Sequence, residues 1–172
     1  LLCFSLCFIP LEKSLAKETV KLIFTADMNE IGSEYQGGYA QVASLLAEHR
    51  QQNTPVFFIF GGASIGPSML SNLDRGSHII DLLNSLEPDV MAVTKRDFSF
   101  LEDELSLRAV EAAFPLVASN ILEIGSKENL SGILKSAIIK QGKYSIGVLS
   151  TMSAAAISEY GLKRISVLDK SF

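Results

Sequence analysis

With 172 residues, 48% of them hydrophobic and 20% charged, the chain has the composition of one globular domain and not of a disordered segment. A net charge of −4 and a pI of about 5.2 provide no basic face, which argues against nucleic acid as a partner and against a membrane-surface role. Both cysteines, Cys3 and Cys7, fall within the first ten residues, so residues 17–172 contain neither a disulfide framework nor a thiolate metal site.

The apolar run Leu1–Pro10 is too short to cross a bilayer of about 30 Å as a helix. Ser14-Leu15-Ala16 follows it, with the small-x-small form of a signal-peptidase site. Residues 1–16 are therefore expected to be the remnant of a signal peptide, or the end of a membrane anchor. Residues 17–172 are expected to form one domain in the periplasm or another extracytoplasmic compartment. Cys7 lacks the small residue before it that a lipoprotein signal needs.

Lys21–Thr25 has the apolar character of a buried strand and ends in the polar loop Ala26–Glu30. Beyond Gly37-Gly38, Tyr39, Val42, Leu45, Leu46 and His49 recur at helical spacing. Val56–Phe60 is a continuous apolar run, as expected of a strand covered on both faces, and it empties into Gly61–Pro67. A second helix is predicted from Ser77, as N-cap, through Ile79, Ile80, Leu82, Leu83 and Leu86, with Pro88 ending it. Asp89–Thr94 is a third strand leading into Lys95-Arg96-Asp97, Leu101–Ala113 a third helix, and Pro115–Ile121 a fourth strand. Ser136–Lys140 and Tyr144–Leu149 flank a turn at Gln141–Lys143 and predict a hairpin; Lys163–Leu168 is a last short strand. Strands and helices in alternation predict an α/β fold with a mostly parallel sheet flanked by helices. Its ligand crevice lies at the carboxyl ends of the strands, where Asp27–Glu30, Gly62–Pro67 and Lys95–Asp97 gather.

The order of these segments resembles the N-terminal part of the 5′-nucleotidase branch of the calcineurin-like metallophosphoesterases. The resemblance runs from Lys21–Asp27 through Gly37–Ala40, Gly66–Leu73, Gly76, Ile80–Leu86, Asp89–Thr94 and Phe114–Asn120 to Tyr144–Leu149. It implies a layered metallophosphoesterase-like fold, here truncated to its N-terminal half. It also implies two divalent metals held by Asp, His and Asn side chains at the strand ends, which polarise a phosphoryl group and generate a hydroxide nucleophile.

The ligand motifs depart from that pattern. Asp27 is kept, but Asn29 stands where the family has histidine. Gly61-Gly62 replaces Gly-Asp, whose carboxylate bridges both metals, and Thr94-Lys95-Arg96-Asp97 replaces Gly-Asn-His-Glu. Neither ammonium nor guanidinium can ligate a cation. A positive charge at about 4 Å would repel each unit of metal charge by roughly 4 kcal/mol at an effective dielectric near 20. Asp27 is the only ligand-type residue retained unchanged. His49 and His78 lie in or near helices and not in the strand-end loops, and Ser64 and Ser68 have no neighbouring base in sequence.

Two readings of the crevice follow. Asp27, Asn29, Gly61, Gly62, Lys95, Arg96 and Asp97 could form an anion site for a nucleotide or phosphate ester, with Arg96 as a bidentate donor and the glycines exposing backbone N–H groups. Alternatively, Lys95 or Arg96 pairs with Asp27 or Asp97 to make an inert polar plug. No catalytic residue, metal or other cofactor is expected. The leading functional expectation is a catalytically inactive 5′-nucleotidase-like domain that serves as a ligand-binding or sensory module of a larger signalling protein, such as a membrane-bound diguanylate cyclase, with membrane attachment through flanking segments. The alternatives are an active phosphoesterase with an altered site holding Mn or Zn, and a structural or interaction domain.

Overall fold

The computed structural model of the protein describes residues 18–32 and 37–168, so the signal-peptide expectation for residues 1–16 lies outside the described residues. Five strands form one parallel sheet in the order β1-β2-β3-β4-β6: β1 Lys21–Thr25, β2 Val56–Phe60, β3 Val90–Ala92, β4 Leu116–Val117 and β6 Ile133–Leu134. Two small antiparallel pairs accompany it, β5 (Ile121–Glu123) with β9 (Ile165–Val167) and β7 (Ala137–Gln141) with β8 (Tyr144–Val148). The α/β architecture with a mostly parallel sheet is thus as the sequence predicts.

One face of the sheet carries the helices α1 (Tyr39–Arg50), α3 (Ser77–Leu86) and α4 (Leu101–Glu111), with α3 packed between the other two. Side chains alternate across a strand, so Phe58, Phe60, Met91 and Leu116 join Leu46, Ile79, Leu83 and Leu105 in the main core. The opposite face places Phe57, Val90 and Val117 under the β7–β8 hairpin, against Ile139 and Val148. A side chain of about this size contributes roughly 1.5–3 kcal/mol when fully buried. β1 is one of the two edge strands, and Leu22 and Phe24, on the hairpin side, are left 57% and 64% exposed. Asp89 joins the layers: one carboxylate oxygen accepts the Phe58 N–H of β2 and the other accepts from Gln141 of the hairpin.

Several predicted elements need correction. The strand expected over Pro115–Ile121 is two strands in different sheets, because Ser119 and Asn120 redirect the chain. The Asn120 amide donates to Met152 and Leu168 carbonyls and accepts the Met152 N–H, which satisfies the backbone of the crossing segments. Ser77 is not the N-cap of α3. Gly76 holds that position at φ +81°, where a Cβ would meet the Ile65 carbonyl oxygen at 2.5 Å. The cap itself comes from Asp74, whose carboxylate accepts the N–H groups of Gly76 and His78 at 2.9 Å each. Four short elements have no counterpart in the sequence reading: α2 (Ser71–Asp74), a 3-10 turn at Lys95–Phe98, β6 and α5 (Ala155–Tyr160).

Candidate functional site at the carboxyl edge of the sheet

The three loops expected at the crevice do meet at the carboxyl ends of β1, β2 and β3. Thr25 accepts the Gly61 N–H at 2.7 Å, and Gly62 accepts the Asp27 N–H at 2.9 Å, so the ends of β1 and β2 stay zipped beyond the ladder. Asp27 and Ala63 have positive φ values of 59° and 63°, a conformation costly for residues with a Cβ and held here by surrounding bonds. Met28 N–H donates to the buried Ser64 hydroxyl, which donates in turn to the Gly62 carbonyl. Beneath them the Tyr39 hydroxyl donates to the Met28 carbonyl at 2.6 Å. Burial, and then the charge of Asp97, push the Tyr39 phenol above its ordinary range. Ser68 and Ser71 exchange hydrogen bonds with one another at the start of α2. Among the described residues, neither the Ser64 nor the Ser68 hydroxyl is hydrogen-bonded to a His, Asp or Glu side chain.

The segment Thr94–Asp97 is more ordered than the loop predicted for it. Lys95–Phe98 forms a 3-10 turn capped by Thr94, with Asp97 closing the capping box onto the Thr94 N–H. Asp97, grouped by sequence with the crevice residues, turns inward and is only 1% exposed. Its Oδ2 accepts the N–H of Ala63 at 2.9 Å and of Thr94 at 2.9 Å; its Oδ1 accepts the N–H of Ser64 at 2.9 Å and of Ile65 at 3.3 Å. The Thr94 hydroxyl adds a further donor at 3.1 Å. Successive N–H groups converging on one carboxylate form an anion-binding nest, and the nest is filled from within. Asp97 therefore organises the site and is not part of its surface. The spacing of Thr94 and Asp97, a hydroxyl residue followed three positions later by an acid, was the sequence signal for this role.

Gly62 sits at φ +76° directly under β3. A Cβ there would lie 2.2 Å from the Ala92 carbonyl oxygen and 2.8 Å from Asp97 Oδ2, so this backbone has no room for any side chain. Arg96 reaches back across the crevice, and its Nη1 donates to Asp27 Oδ1 at 2.5 Å. The Asp27 side chain is 62% exposed and that of Arg96 is 33% exposed. Lys95 leaves the crevice and donates to Glu159 of α5 at 2.7 Å, a partner the sequence did not suggest. That hydrogen bond, with the Glu159 charge, holds the Lys95 ammonium above its usual pKa range. Asn29 donates to the Pro67 carbonyl at 3.0 Å and so ties the first loop to the second.

The structure thus brings Asp27 and Arg96 together, aligns Gly61 and Gly62 with them, and sends Lys95 and Asp97 elsewhere. The Gly61 N–H already has the Thr25 carbonyl as partner and is not a free anion donor. His78 bonds Asp74 through Nδ1 at 2.7 Å, and Nδ1 of His49 lies 3.0 Å from the Lys21 ammonium, both away from the loops. These donors do not fit the two divalent metals the resemblance implies. Asp27 faces a guanidinium, position 62 cannot hold a carboxylate, and Asp97 is fully engaged inside. Among the described residues, no three His, Cys, Asp or Glu side chains come together in a metal-holding group.

The chain has relatives among known proteins. The snake venom 5′-nucleotidase of Crotalus adamanteus is 30% identical over 121 residues, which is 69% of this chain and 21% of that protein. The chain is a homologue of the N-terminal part of the 5′-nucleotidases, and it has the fold of the calcineurin-like phosphoesterases. It spans about a fifth of the length of the curated relatives it matches. The 5′-nucleotidase precursor from Thermus thermophilus shares the fold with a TM-score of 0.77 at 16% identity, over 87% of this chain and 32% of that one. The calcineurin-like phosphoesterase YfkN from Bacillus subtilis superposes with a TM-score of 0.71 at 18% identity, over 86% of this chain and 53% of that one. No protein-family model matches the chain.

Proposed function

We propose that this 5′-nucleotidase-like chain is a catalytically silent extracytoplasmic module, working by recognition as part of a larger signalling protein and not by hydrolysis. The observation that carries the reading is the Asp27–Arg96 ion pair beside the closed position at Gly62. Metal-centred phosphoryl chemistry needs carboxylates and imidazoles with open coordination positions. Here a guanidinium stands on the one retained carboxylate, and its charge would repel a dication placed there. On this reading the crevice is an ion-paired plug and the domain uses no metal cofactor. The extracytoplasmic assignment rests on the apolar start, the Ser14-Leu15-Ala16 site and the confinement of both cysteines to residues 1–16.

Phosphate release from a nucleoside monophosphate and from an aryl phosphate, with Mn or Zn in excess and then in EDTA, tests the proposal. No metal-dependent turnover is expected. Turnover abolished by EDTA would instead establish the altered-site phosphoesterase. A second reading, binding of a small anion such as a nucleotide, draws support from Arg96, which uses one Nη on Asp27 in a partly exposed pair of the kind worth only about 0–1 kcal/mol. Titration with inorganic phosphate and with AMP, followed by calorimetry, distinguishes the two. Heat that disappears in Arg96→Met would favour the anion site over the plug.

A further inference from the structure

Lys95, Arg96 and Asp97 are consecutive, yet each engages a different element. Lys95 pairs with Glu159 on α5, Arg96 with Asp27 after β1, and Asp97 with the N–H groups of Ala63, Ser64 and Ile65 after β2. The 3-10 turn that contains them makes this divergence possible. With three residues per turn, successive side chains leave the axis about 120° apart, so one tripeptide can reach three neighbours. Thr94 fixes the turn on β3 through its cap. We propose that Lys95–Asp97 is a three-way strap that holds the crevice loops and α5 in register, so that their order depends on ion pairs and hydrogen bonds and not on divalent cations. The inference rests on the reading of the crevice as metal-free and names what replaces the metals mechanically.

Site-resolved amide hydrogen exchange on the full chain tests it, in EDTA and with excess Mn²⁺, for the wild type and for Lys95→Met, Arg96→Met and Asp97→Asn. Each variant is expected to loosen its own target. Asp97→Asn should speed exchange at Ala63–Ile65 by about tenfold or more, since it removes charge-assisted bonds to buried amides. Arg96→Met should speed residues 26–31 by about two- to fivefold, as befits a partly exposed pair, and leave residues 155–160 unchanged. Lys95→Met should do the reverse. Wild-type exchange should be the same in EDTA and in Mn²⁺.

Exchange that slows in the loops on adding Mn²⁺ would overturn the strap, as would variants that change all three regions alike or none. If Asp97→Asn fails to fold, the two surface variants still decide the matter. Metal-dependent phosphate release by the wild type would defeat the silent-domain reading on its own. A missing exchange pattern without such turnover would defeat only the strap.

Discussion

The Asp97 carboxylate lies 2.9 Å from the backbone nitrogen of Ser64, on a loop more than thirty residues earlier in the chain. Charge-assisted bonds of this kind are about twice as strong as neutral ones, and a buried N–H left without a partner costs about 1–3 kcal/mol. Asp97→Ala would orphan the amides of Ala63, Ser64 and Ile65 together. A loss of about 3–5 kcal/mol in urea unfolding is expected, against less than about 1 kcal/mol for Arg96→Ala. Equal effects of the two substitutions would show that the inward turn of Asp97 is not what holds the loop.

Placing at position 62 the carboxylate that the resemblance implies there, by Gly62→Asp, should not create a metal site. The left-handed backbone and the 2.2 Å approach to the Ala92 carbonyl make any side chain at 62 strained, at a cost of about 3 kcal/mol or more. The variant is expected to melt lower than the wild type, with no upward shift on adding Mn²⁺. A Tm that recovers with Mn²⁺ would contradict this.

Much of this fold could be read from the chain, because long apolar runs announce themselves. Val56–Phe60 has no polar residue and is buried at four of its five positions, while Ile79, Leu83 and Leu86 mark the inner face of α3 by their spacing. Elements of two to six residues, such as β6 and α5, are too short for a period to show. The site was legible in position and less so in detail. Asp27, Gly62 and Arg96 gather where parallel strands end, but which cation meets which carboxylate is decided by distant segments. Glu159 is sixty-four residues from Lys95 and has no local cue. Asp97 did have one, its place three residues after Thr94, which is the spacing of a capping box.

Asp74 supplies a pH dependence of definite sign. Burial disfavours its charge, but the His78 N–H, the His78 ring and the Gly76 N–H together outweigh that and lower its pKa from an ordinary 3.8. A depressed carboxylate pKa contributes stability above the unfolded value and loses it as pH falls through the folded one. Asp74→Asn should therefore be less stable than the wild type near neutrality, with the gap closing below about pH 4. Parallel unfolding curves from pH 7 to pH 3 would reveal whether the gap closes.

Leu22 lies on the edge strand β1, outside the cover of the hairpin, 57% exposed. Free edges with apolar side chains invite pairing with other chains, and a lysine there is a common protection. Leu22→Lys is expected to change stability by no more than about 0.5 kcal/mol while raising the second virial coefficient in light scattering. A large loss of stability would mean that Leu22 belongs to the core after all.

The closeness of Gly62 and Asp97 also bears on how this crevice can change over time. A side chain arriving at 62 would meet the Ala92 carbonyl oxygen 2.2 Å from its Cβ, and Asp97 Oδ2 at 2.8 Å. Asp97 in turn cannot leave while three amides of the adjoining loop point at it. Each single step toward a carboxylate at 62 passes through a destabilised protein. Removing Asp97 alone would still leave the Ala92 carbonyl and the left-handed backbone in the way, so a lineage with this main chain could not gain a carboxylate at 62 by one substitution.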